Sequence, residues 1–83
     1  MADSNTLVYA DMIQRIGYTI INNVKVVQHT CTFPIDKPQE MRVGSTRLNP
    51  DMYKENRDIC RADIAAFEDA AYELQEEYLS KTV

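Results

Sequence analysis

Apolar residues recur with helical spacing at both ends of this chain and with strand spacing between them. Val8, Tyr9, Met12, Ile13 and Ile16 return every few residues, with Asn5 or Thr6 ahead as a cap and Gly17 behind as a stop. That spacing predicts a short N-terminal helix over 7–16. The opening Thr6-Leu7-Val8-Tyr9 is β-prone when read alone, so a strand is the competing reading.

The middle of the chain alternates instead. Tyr18-Thr19-Ile20-Ile21 and Val24-Lys25-Val26-Val27 flank Asn22-Asn23, a dipeptide that tolerates positive φ. Two β-rich runs around such a pair predict a hairpin over 18–33 with a type I′ turn. Period-two alternation puts Lys25, Val27, His29, Cys31 and Phe33 on one side, with Val27, Cys31 and Phe33 turned toward a helix. A bulge near Gln28 would swap that phase. Phe33 to Pro38 is a proline-bounded connector, and 40–43 forms a third short strand closed by Gly44-Ser45.

Leu48-Asn49-Pro50-Asp51 opens a helix: Asn49 caps, Pro50 takes the first helical position and Asp51 suits the dipole. From there no glycine interrupts the chain, and one helix is expected over 50–81. Tyr53, Cys60, Ile64, Phe67, Ala71, Leu74 and Tyr78 follow a spacing of mostly three and four, a heptad seam. About thirty residues at ~1.5 Å each would reach roughly 45 Å. A compact chain of this length has a radius of gyration of about 12 Å. The helix is therefore expected to outreach its own domain and to meet a second copy along those seven positions. Ala62, Ala65, Ala66, Ala70 and Ala71 cluster around Phe67 and would let a neighbouring element come close.

The fold class expected is α+β, in one small domain over 1–83: N-terminal helix, hairpin or three-stranded meander, and long helix across one sheet face. Eighty-three residues support only a small core, which association would reinforce. The net charge of −4 is uneven. From Pro50 onward nine acids face four bases, a net of −5, while the remainder holds four acids and five bases. Acidity on the helix speaks against phosphate-backbone binding, so no nucleic-acid partner is expected. Glu68, Asp69, Glu73, Glu76 and Glu77, with Tyr72 among them, form an acidic face suited to a basic protein partner. No apolar run approaches membrane length, and Met1-Ala2-Asp3-Ser4 lacks a signal's basic opening. No membrane partner is expected, and a cytoplasmic location is.

Candidate chemistry is thin. His29 and Cys31 share a strand face, and Cys60 could approach from the helix, but zinc ligands come in close pairs and a fourth is missing. A Cys–His nucleophile lacks a group to orient the imidazole and a glycine-rich oxyanion turn. The plainer reading is a strand histidine beside reduced core thiols. No catalytic residue, metal or cofactor is expected. The chain reads as a non-enzymatic structural or adaptor protein of the kind found among small bacterial or phage accessory proteins. The alternative is an acidic inhibitor or nucleic-acid mimic that docks its helix in a basic groove.

Overall fold

The computed structural model describes residues 4–81. Three antiparallel strands, β1 (Met12–Ile21), β2 (Val24–Pro34) and β3 (Arg42–Arg47), lie in chain order with β2 central. A single 3₁₀ turn (Pro38–Glu40) links β2 to β3, and two helices follow, α1 (Pro50–Glu55) and α2 (Arg57–Lys81). The architecture is α+β, with α2 crossing one face of the sheet.

The hairpin turn is made as its residues dictate. Asn22 and Asn23 hold φ of 51° and 65°, the paired left-handed conformation of a type I′ turn. A bulge does occur, two residues before Gln28. Thr19 faces Val27 but Ile20 faces Lys25, so Val26 is an extra residue in β2. The phase expected for Val27, His29, Cys31 and Phe33 holds, and all four are buried. Upstream the phase swaps: Val26 is buried and Lys25 is exposed.

Several boundaries differ from expectation. Residues 7–16 are not a helix: 12–16 belong to β1, and 5–11 carry no regular structure. The apolar residues there satisfy either period, and pairing with the central strand decides between them. Gly17 is not a helix stop. It sits inside β1, where an added Cβ would lie 3.3 Å from the Phe67 ring, so its missing side chain is the seat for that ring. The third strand runs over Arg42–Arg47 rather than 40–43, because Gly44 and Ser45 are held by pairing with Thr30 and His29. Glu40 belongs to the 3₁₀ turn that Pro38 starts.

The single helix expected over 50–81 is divided at Asn56. Asn49 Oδ1 accepts from the Met52 N–H at 3.1 Å, as an N-cap should. Asn56 then leaves helical geometry (φ −124°, ψ 37°), and its side-chain amide donates to the Met52 carbonyl. An asparagine that bonds nearby backbone competes with helix propagation. The Asn56 carbonyl accepts from the Cys60 N–H and so starts α2.

Two apolar clusters make the core. Val26, Val27, Tyr53 and Cys60 form one, with Ile21, Met52 and Ile64 against it. Cys31, Phe33 and Ala71 form the other, with Ile13, Met41, Val43, Phe67, Leu74 and Tyr78. The molecule is elongated: the radius of gyration is 17.3 Å and the longest extent 60 Å.

Candidate functional site

Between the two apolar clusters lies a polar chain whose middle members, Thr19 and His29, are buried and whose ends, Ser45 and Asp63, are exposed. Gly17, His29 and Ser45 form one row across the sheet, and Thr19 lies two residues along β1. Period-two geometry turns His29 and Thr19 toward α2, whose Asp63 and Phe67 are one turn apart. Thr19 Oγ1 lies 2.8 Å from His29 Nε2 and donates to Asp63 Oδ2 at 2.8 Å. His29 Nδ1 lies 3.0 Å from Ser45 Oγ. The Phe67 ring stacks on the imidazole with centroids 5.3 Å apart.

The direction of this chain follows from its acid end. A carboxylate only accepts, so the one hydroxyl proton of Thr19 goes to Asp63. The Thr19 oxygen must then accept from Nε2–H of His29, which leaves Nδ1 bare to accept from the Ser45 hydroxyl. Protons therefore point from Ser45 through His29 and Thr19 to Asp63. No buried side-chain nitrogen or oxygen among the described residues lacks a partner. Burial pushes the imidazole below its ordinary pKa, and the Asp63 carboxylate opposes that in part.

The connectivity places a hydroxyl on an imidazole that an acid orients through a second hydroxyl. As chemistry it is restrained. His29 is only 3% exposed and lies against Phe67. Acyl transfer also needs donors aimed at a developing oxyanion, and Ser45 sits on an extended edge strand, not at a helix start or a glycine nest. What the chain does accomplish is structural. It takes one side chain from each of β1, β2, β3 and α2 and joins them through hydrogen bonds that are all made.

The thiols stand apart from it and from each other. Cys31 is in one apolar cluster and Cys60 in the other. Burial raises both thiol pKa values; Arg15 works against that for Cys31, and Asp63 adds to it for Cys60. Both nitrogens of His29 are already engaged, and among the described residues no group of His, Cys, Asp and Glu is arranged to hold a metal ion. Reasoning from sequence singled out His29 but missed Thr19, Ser45 and Asp63, which carry no local signal.

The seam positions lie elsewhere than at a free surface. Tyr53, Cys60 and Ala71 are buried, and Ile64, Phe67, Leu74 and Tyr78 pack against the same two clusters. The helix stripe thus covers its own sheet. The acidic positions Glu68, Asp69, Glu73, Glu76 and Glu77, with Tyr72 among them, are all exposed on α2. Among the described residues the ion pair formed is Lys81–Glu77, at 3.6 Å.

Apolar residues are also exposed on the other side of the sheet. Met12, Ile16, Tyr18 and Ile20 alternate along β1 away from α2, and all four are exposed. Ahead of them Leu7, Val8 and Tyr9 are 73%, 76% and 81% exposed. No helix is long and apolar enough to cross a membrane among the described residues. No family model matches this chain, and neither a curated protein nor a solved structure matches it.

Proposed function

We propose that this chain is a non-enzymatic structural or adaptor subunit that works by self-association. The observation that carries the reading is the open side of the sheet, continued by the apolar arm at 7–9. The apolar exposure is a stripe along β1 and the arm, since β2 and β3 present Gln28, Thr30, Thr32, Arg42 and Thr46 on that side, and exposed apolar residues grouped along one edge strand mark an interaction site. The small, divided core and the elongated shape agree with it, since a chain this short gains most from burying surface in a neighbour. The seam on α2 is spent on the chain's own sheet, so the association is assigned to the sheet side instead. Sedimentation equilibrium at micromolar concentration is expected to return a mass of at least twice the 9.6 kDa of one chain. A single-chain mass across that range overturns the reading.

A second reading draws on the outward acids of α2. Glu68, Asp69, Glu73 and Glu76 surround exposed Tyr72, which would suit a groove lined with lysine and arginine on another protein. Binding to such a basic protein is expected to weaken with salt and to be lost in Glu73→Lys/Glu76→Lys, with the self-associated mass unchanged. Salt-indifferent binding, or binding that survives the double reversal, argues against it.

A further inference from the structure

We propose that β1 and the arm before it pair antiparallel with the same segment of a second copy, in a register centred on Ile13. This rests on the self-association reading and names its contact.

β1 is an outer strand of the sheet. Of the usual protections against pairing its edge carries one, the charge of Arg15 on the helix side. Over ten residues it has no proline and no lysine, and the bulge lies in β2 rather than in β1. The opposite edge, β3, has six residues with an arginine at each end. The ladder inside the chain also stops short of the arm. Met12 faces Pro34, Ile35 N–H reaches the Asp11 carbonyl at 3.0 Å, and the chain then turns away. Residues 7–10 are left as an extension of β1 with no strand beside them.

The same contacts fix the parity of any pairing. The Asp11 carbonyl points toward β2, and Pro34, opposite Met12, has no N–H to give. Odd-numbered residues of β1 therefore direct their backbone groups inward, and even-numbered ones direct theirs to the free edge. A second β1 must bring even residues opposite even residues, which admits only every other register.

Charge then selects among these. Asp11 and Arg15 are the only acid and base between residues 7 and 21. Centring on Ile13 sets Asp11 of each copy directly opposite Arg15 of the other, twice by symmetry. Centring on Arg15 would oppose two guanidinium groups, a destabilising arrangement. In the Ile13 register the arm gains the partner it lacks: Val8 meets Tyr18, and Ala10 meets Ile16, on the open face.

The test is a charge swap in the full chain, read by sedimentation. Arg15→Asp is expected to weaken dimerisation roughly tenfold to hundredfold, and Asp11→Arg/Arg15→Asp is expected to restore it. Residues 11 and 15 lie about 13 Å apart along one strand, so rescue cannot come from within a copy. In parallel, Ile13→Cys is expected to form a covalent dimer under a mild dioxygen-driven oxidant, because the two Cα atoms would be ~4.5 Å apart. Arg15→Cys is expected not to. A wild-type dimer with no rescue and no Ile13→Cys cross-link overturns this register while self-association stands. A monomeric wild type overturns both.

Discussion

Phe33→Ala is expected to cost about 3–5 kcal/mol of stability, the range for deleting a buried aromatic ring. A domain of this size holds only about 4–12 kcal/mol in all, at ~0.05–0.15 kcal/mol per residue. The variant should therefore be largely unfolded at temperatures where the parent is intact. Phe33 is fully buried and meets the Tyr78 ring edge-on, with centroids 5.4 Å apart. It is the largest side chain among those fully buried, and it sits where the far half of α2 has few other anchors. Losing it leaves the small Cys31 and Ala71 as the fully buried members of that cluster, with Phe67, Leu74 and Tyr78 of the helix around the gap. Urea denaturation followed by far-ultraviolet circular dichroism, at fixed protein concentration, measures the effect. A cost below about 1 kcal/mol would mean that the cluster around Phe33 contributes far less than its burial implies.

The second large effect concerns the polar chain. Thr19→Val keeps the shape of the side chain and removes its hydroxyl. Nε2–H of His29 then has no acceptor, and a buried unmet donor costs about 1–3 kcal/mol. The same site gives the folded state a pH dependence of definite sign. Burial holds the folded imidazole below the ordinary 6.5. On acidification the unfolded chain takes up its proton first, so stability is untouched above that value and falls below it. The decline continues until the folded imidazole also titrates, with a slope of at most about 1.4 kcal/mol per pH unit. Unfolding free energies measured between pH 7 and the onset of carboxylate titration should show this slope in the parent and lose it in His29→Gln. A flat parent profile would mean that the imidazole titrates in the fold as it does in water.

Much of the fold was legible because its instructions are local. Asn22-Asn23 tolerates the paired positive φ of a type I′ turn, and Asn49-Pro50-Asp51 carries the cap, the first-position proline and the acid of a helix start. The strand phase from Val27 onward came from alternation alone, while the bulge at Val26 put Lys25 on the other side. The errors arose where distant contacts decide. Residues 12–16 suit a helix or a strand, and β2 chooses for them. The break at Asn56 is the exception, since it rests on a local bond from its side-chain amide to the Met52 carbonyl, which a polar residue inside a helical run does not announce. The α2 stripe announced that something apolar lay opposite, but not that it was the chain's own sheet. The polar chain was the least legible part, since its members are 10, 16 and 44 positions apart along the bonds that join them. The open β1 face was hidden for a related reason. Its alternation only became visible once the segment was known to be a strand.

The one-way order of protons from Ser45 to Asp63 has a bearing on how the domain comes apart. Each of its four contributors belongs to a different element: Ser45 gives, Asp63 takes, and His29 and Thr19 each take from one neighbour and give to the other. Detaching α2 strands the Thr19 hydroxyl, and peeling away β3 strands the imidazole nitrogen it had served. Neither end can fray without spoiling the middle. Sheet and helix should therefore open together, as one cooperative unit, although the apolar interior is split in two.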